Sequence, residues 1–394
     1  MALAFFSARR AFALLFVSMF ALHGCVTQPQ QVEGPAEVSI RYESVHWSQL
    51  PGWRDDSVHE AWTAFMQSCS TRSLPAPLLT ACETARSVEI ANDHAARAFF
   101  ETHFAPYRIV RVESPRVSAD TGLVTGYYEP LLRGSRKPSP TFSTALYAPP
   151  DDMLTIELGD VFPELKGKRV RGRLQGKKVV PYFDRAALAT HATLEGKELV
   201  WVDDAVDAFF LEVQGSGRVR LNDGTTIRLA YADQNGHPYR SVGRYLVDQG
   251  VMTLDEVTAP AIREWLRNNP SRLREVLDSN PSVVFFREEI LTDPNVGPKG
   301  SLGVPLTAGR SIAVDRTFIP LGAPIFLATT MPASDAPLQR LVLAQDTGGA
   351  IRGPVRADLF WGFGDQAGEF AGRMKQEGRM WLLWPKGAAL PAGP

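Results

Sequence analysis

The sequence predicts an α+β chain, mainly β, built around small barrels. Three observations carry that expectation. Short apolar segments separated by Gly, Pro and Asp recur after residue 110. Helical periodicities come in isolated blocks, without the regular β-α-β alternation of a parallel sheet. The 394 residues include 32 glycines and 29 prolines, above the usual combined share of about 12%. An apolar fraction of 44% suffices for a proper core and excludes a wholly disordered chain. The formal net charge of −1 leaves no basic excess to neutralise a phosphate backbone, which argues against nucleic acid as a partner.

The first 24 residues stand apart from the rest. Arg9 and Arg10 precede an apolar run, 11–22, that is too short for a stable membrane span and reads as a secretory signal. It ends in Leu22-His23-Gly24-Cys25, which resembles the lipobox at which bacterial lipoproteins are cut and Cys25 is acylated. A plain signal peptide cut nearby is the alternative. The mature chain is expected outside the cytoplasm, tethered by residues 25–40 and held by acyl chains. Val26 is not an aspartate, which favours the periplasmic face of an outer membrane.

An oxidising compartment makes Cys69 and Cys82 candidates for a disulfide across a turn at Pro75 and Pro77, with two buried free thiols as the alternative. Val58, Trp62, Phe65 and Met66 recur at helical spacing and predict a helix over 56–68; a second is expected over 89–103. Strands are expected at 122–128, 199–202 and 207–214. In the last, Phe209, Leu211 and Val213 alternate with Phe210, Glu212 and Gln214 at a period of two. Gly215-Ser216-Gly217 and Asn222-Asp223-Gly224 are expected to turn the chain on either side of a strand, with another at 227–231, giving a small meander. Helices are expected within 239–278. There Thr253 and Glu256 have capping-box spacing, Pro260 suits a first turn, Asn269-Pro270 ends a helix and Ser271 can cap the next. Strands return at 283–286, 312–314, 325–327 and 341–344. A Gly/Ala/Pro tail, 387–394, is expected to be disordered.

Several chemistries are missing from the sequence. There is no His-Glu-x-x-His helix or other metal-ligand spacing, no dinucleotide fingerprint and no Gly-x-Ser-x-Gly elbow, so neither a metal nor a cofactor is expected. What remains is carboxylates among glycine and aromatic residues, densest over 345–362. An apolar strand delivers Asp346 to a turn, and a glycine-lined loop returns to Asp358 with Phe360 and Trp361 beside it. Apolar surroundings keep a carboxylic acid protonated near neutral pH, as a general acid requires, and aromatic rings stack on sugars. The pair reads as a glycan-cleaving site, although an Asp before Thr-Gly-Gly also serves as a turn cap.

Six motifs follow one another between about residues 45 and 386: Gly126-Tyr127-Tyr128-Glu129-Pro130, Val213-Gln214-Gly215-Ser216-Gly217, 231–245, 280–286, 306–321 and 344–362. Together they resemble the membrane-bound lytic murein transglycosylase A family. The resemblance implies a double-psi β-barrel catalytic domain from 41–134 and 281–386, with N-terminal helices, and a second small β-barrel for substrate inserted at 135–280. It implies cleavage of the β-1,4 bond from N-acetylmuramic acid to N-acetylglucosamine in peptidoglycan glycan strands, leaving a 1,6-anhydromuramoyl end, with no cofactor. Asp358 then corresponds to the single acid/base and Asp346 to a supporting carboxylate. Thr125, Tyr127, Gln214 and Ser216 become candidate sugar-binding residues, and so does Asp315, a further acid of the barrel motif, with structural hydrogen bonding as its alternative role. Arg244 and Arg352 are candidates for the lactyl or peptide carboxylates. Two other readings stand beside this one: an inverting hydrolase with Asp358 as acid and Asp346 as base, and a murein-binding lipoprotein without activity.

Overall fold

Six strands close a ring at the centre of the larger sheet. A computed structural model describes residues 38–393 other than 115, 116, 166, 167, 169 and 292. The signal segment, Cys25 and the tether as far as residue 37 lie outside the described residues. Around the ring the order is Lys375–Pro385, Pro324–Thr330, Pro337–Asp346, Ser311–Val314, Ala357–Phe363 and Thr121–Glu129, the last pairing back onto the first. Two neighbouring pairs are parallel, Ser311–Val314 with Pro337–Asp346 and Ala357–Phe363 with Thr121–Glu129. Ser39–Ser44, Phe104–Ser114 and Val117–Ala119 extend the sheet outside the ring.

Three helices, Val58–Ser68, Ala76–Arg86 and Asp93–His103, cover part of this sheet, and their apolar faces join its core. Trp62, Phe65, Phe99, Phe100 and Phe104 pack there largely edge to face. The helix over 58–68 matches expectation. That over 93–103 begins later than expected because Asn92 caps it, accepting from Ala95 N at 3.0 Å. The proline turn does not exist as such: Pro75 and Pro77 open the middle helix, where a missing N–H costs nothing. Cys69 and Cys82 are joined, Cα to Cα 5.3 Å, tying the first two helices together.

A second, six-stranded sheet runs Val284–Glu289, Thr226–Gln234, Ser216–Leu221, Leu131–Ser135, Glu198–Val202 and Thr144–Tyr147. The run read at 283–286 as part of the larger barrel thus pairs inside the second sheet, and so does the strand before residue 135. A three-stranded sheet, Leu154–Ile156, Val170–Gln175 and Lys178–Pro181, stands beside it in sequence.

The strand expected at 207–214 is instead the helix Ala205–Gln214. Asp204 caps it, accepting from Val206 N at 2.7 Å and Asp207 N at 3.0 Å, and Gly215 ends it at φ +81°. Its apolar residues alternate because the helix is buried on two sides. Ala208 and Leu211 enter the core of the second sheet, while Val206, Phe209 and Phe210 pack against Val242–Asp248 and Ala259–Asn268. The meander therefore keeps only its 216–234 hairpin. Thr253 and Glu256 do exchange capping bonds, but the helix starts after Thr258. Ser271 lies in a short 3-10 turn and does not cap Leu273–Asp278, which has no side-chain cap. The C-terminal tail is held as far as Ala389, whose carbonyl accepts from Trp384 Nε1 at 2.8 Å.

Candidate active site

Backbone pairing lines up Lys375, Thr125, Asp358, Ala313 and Asp346 as successive partners on five neighbouring strands. Asp346 and Asp358 flank Ala313 on the two neighbouring strands, two interstrand spacings or about 10 Å apart across the ladder. Asp358 therefore lies on the strand to which the glycine-lined loop returns, and its position is fixed by ladders on both sides.

Asp358 is partly exposed and enclosed on its other sides by protein. Its Oδ1 accepts from the Thr125 hydroxyl at 2.5 Å, and no described residue hydrogen-bonds Oδ2. Enclosure pushes the carboxyl up to about 6, helped by the nearby Asp346 charge and opposed by the Thr125 hydrogen bond and the positive charge of Arg356. Arg356 itself donates from Nη2 to Thr125 Oγ1 at 2.8 Å.

Asp346 is the better-anchored carboxylate. Its Oδ1 accepts from Ser301 N at 2.8 Å, Ser301 Oγ at 2.9 Å and Thr347 N at 2.8 Å, and its Oδ2 from Tyr127 OH at 3.1 Å. Enclosure raises its pKa against these donors. The Tyr127 phenol is pushed far up by burial and by both carboxylates, so it stays protonated and donates. Next to Asp346, Gln345 turns the opposite way and is fully buried. It accepts from Ser311 Oγ at 2.6 Å and donates to Ala64 O and Ser68 Oγ at 2.7 and 2.8 Å, which locks the strand end onto the Val58–Ser68 helix. Ser301 reaches Asp346 because Gly300 has no side chain: a Cβ there would lie 2.6 Å from the Gln345 carbonyl oxygen.

The other sequence candidates scatter. Gln214 accepts from Tyr128 N at 3.0 Å and so pins a helix end to the strand that carries Thr125 and Tyr127. Ser216 opens the strand after that helix, opposite Ala230. Asp315 is 4% exposed, and its oxygens are taken by Thr317 N, Thr317 Oγ1 and Gly353 N at 3.1, 2.7 and 2.8 Å. It clamps the 347–356 loop from below, which removes it from a sugar-facing position. Arg244 pairs with Asp248 on a surface helix, and Arg352 is exposed. The expected aromatic platform is also absent. Phe360 is 1% exposed and packs on Tyr127, while Trp361 donates to Met374 Sδ and packs on Phe370 under the Asp365–Arg373 helix.

Two site residues were not singled out from sequence. Arg356 lies two positions before Asp358, the spacing that puts side chains on one face of an extended chain. Ser301 follows a glycine in an irregular segment, and nothing in its own neighbourhood marks it.

Known proteins bear on this arrangement. Sequence models of the MltA-specific insert domain and of the 3D domain match residues 123–287 and 310–384. The crystal structure of MltA from Neisseria gonorrhoeae is similar at a TM-score of 0.77 and 35% identity, across 92% of this chain and 98% of that one. The chain belongs to the MltA family. Thr125, Tyr127, Gln214 and Ser216 fall within the insert match, and Asp315, Asp346 and Asp358 within the 3D match. Membrane-bound lytic murein transglycosylase A of Vibrio cholerae is 32% identical over 268 residues, 66% of this chain and 65% of that protein, so the match spans just under two thirds of the curated relative. A structure of Escherichia coli MltA with bound chitohexaose is similar at a TM-score of 0.62 and 25% identity, over 90% of this chain and 92% of that one.

Proposed function

We propose that this MltA-family chain is a peptidoglycan lytic transglycosylase with Asp358 as its single acid/base. Asp358 protonates O4 of N-acetylglucosamine as the bond from C1 of N-acetylmuramic acid to that oxygen breaks. The C6 hydroxyl oxygen of the same muramic residue attacks C1, and its proton passes to the Asp358 carboxylate, which is thereby restored as the acid. No water is consumed. One carboxyl serves both steps because the nucleophile belongs to the substrate, whereas hydrolases of the usual kind need two.

The observation that carries this reading is the setting of Asp358: partly open, pushed up to about 6 by enclosure, and with Oδ2 hydrogen-bonded by no described residue. Asp346 differs in that both of its oxygens are engaged. That favours a fixed charge, able to offset developing oxocarbenium charge, over a base that activates water as an inverting hydrolase needs. The chitohexaose bound by the E. coli relative supports a glycan strand as the ligand here. Thr125, Tyr127 and Ser216 are the residues proposed to meet it, with Gln214 positioning their strand.

The same reading takes the six-stranded ring as the double-psi β-barrel and the second sheet as the inserted substrate domain. It places the chain at the periplasmic face of the outer membrane, anchored by acylated Cys25. The test is mass spectrometry of fragments released from murein sacculi by the chain and by Asp358→Ala. Muropeptides one water lighter than reducing ends, absent with the variant, are expected. Reducing ends instead would assign a hydrolase with Asp346 as base, and no release by either protein would leave a murein-binding lipoprotein.

A further inference from the structure

We infer that Arg356, acting through Thr125, fixes on which oxygen Asp358 carries its proton. The inference rests on the acid/base reading of Asp358 and deepens it. A guanidinium offers only N–H donors, and a threonine hydroxyl has a single proton. Arg356 Nη2 donates to Thr125 Oγ1 at 2.8 Å, taking one of its two lone pairs, and a guanidinium cannot accept the hydroxyl proton, so that proton points to the other described partner, Asp358 Oδ1, 2.5 Å away. Asp358 Oδ1 is thereby an acceptor in both protonation states. The proton of the neutral acid sits on Oδ2, the oxygen left for the glycosidic bond. Without the arginine, both lone pairs of Thr125 Oγ1 are open and no positive charge opposes a second donor, so the neutral acid gains a hydrogen bond by placing its proton on Oδ1, where it faces protein.

Arg356 is held for this task, donating from Nη1 to the carbonyls of Ala357 and, at 3.4 Å, Leu123. The other groups around Asp358 cannot replace it. Asp346 is a like charge and Tyr127 is turned to Asp346. Ala313 on the flanking strand has no polar side chain, and Lys375, the backbone partner of Thr125, is exposed. Lys299, on the segment that brings Ser301, is exposed and bonds neither Thr125 nor Asp358.

The test compares the full-length chain with Arg356→Met, Arg356→Lys, Thr125→Val and the double variant T125V/R356M, reading kcat and KM against pH on isolated glycan strands. Carboxyl NMR follows the Asp358 titration, assigned with Asp358→Asn. R356M is expected to lower the plateau kcat about 10-fold or more, a fraction of what a general acid supplies, with KM changed less than about 2-fold. Its alkaline limb and Asp358 titration move to higher pH, since a positive charge has gone. R356K, which keeps a charged donor, recovers most of the loss. T125V loses a similar factor, and the double variant loses no more than either, the mark of residues acting as one unit.

A limb that rises with an unchanged plateau would overturn the inference, because charge alone would then explain Arg356. So would a loss confined to KM, or independent losses that multiply in the double variant. An active Asp358→Asn would instead defeat the acid/base reading, whereas an inactive one beside an unchanged R356M defeats only the inference.

Discussion

At Asp358 enclosure has moved an ordinary aspartate to about 6, against the pull of Thr125 and Arg356. Asp56 is also raised by burial, yet there the carboxylate is clamped by Arg310 at 2.9 Å and serves structure. The difference lies in what each oxygen meets, not in residue type. In the proposed acid/base role the protonated form of Asp358 is the one that acts first, so kcat is expected to fall as pH rises through about 6. Asp358→Asn should cost at least about 100-fold in kcat, measured by release of anhydro-muropeptides. The same shift has a stability consequence. With a folded pKa above the ordinary 3.8, the native chain holds more protons than the unfolded chain between roughly pH 4 and 6, so stability falls across that window. Asp358→Asn removes a penalty of at most about 3 kcal/mol. Its Tm should therefore rise at pH 7.5 and match the parent near pH 3.5, checked by thermal scans at both values. Sequence reading found Asp358 and Asp346 as carboxylates among glycine and aromatic residues, and Thr125 and Tyr127 through the family resemblance. It passed over Ser301, whose importance comes entirely from an approach that Gly300 permits.

Among the elements, the sequence was most legible where an amphipathic pattern faced a single core, as in Val58–Ser68. It misled at Ala205–Gln214, where burial on two sides spread apolar residues around the helix and imitated a strand. The Lys375–Pro385 strand escaped for a related reason: Met380, Trp381, Leu382, Leu383 and Trp384 are all buried, so no alternation marks it. Two predictions belong here. Replacing Cys69 and Cys82 together by alanine should cost on the order of 3 kcal/mol, seen as a lower denaturant midpoint. Gly300→Ala places a Cβ 2.6 Å from the Gln345 carbonyl oxygen, so the segment must shift and Ser301 withdraw from Asp346. Activity should drop several-fold while the Tm changes little, since the segment lies at the rim of the core.

For the whole molecule the junction between the two main sheets is Glu129, the last residue of a ring strand and fully buried. It accepts from Arg218 Nε at 2.7 Å and Arg228 Nε at 2.6 Å, both from the second sheet, and Arg218 stacks on Phe363 of the ring at 3.9 Å. The arginines also donate to the carbonyls of Pro294 and Val296, so all parts of the junction share one polar cluster. Glu129→Gln leaves two buried guanidiniums short of a counter-charge. It should cost about 3–5 kcal/mol, measured by chemical denaturation at low and high salt, with little dependence on salt because the pair is hidden from ions. What the sequence determined by itself is local: composition, the distinct N-terminal segment, the amphipathic helices, the turn chemistry, and the order of motifs that marks the family. What only the tertiary structure decided is which groups meet. Thr125 and Asp358 are 233 residues apart, and Tyr127 and Asp346 are 219 apart. No periodicity reaches across such distances. Closure of the ring sets those pairings, and with them the enclosure that raises both aspartates and the hydrogen bonds that hold Asp346 by both oxygens and Asp358 by one.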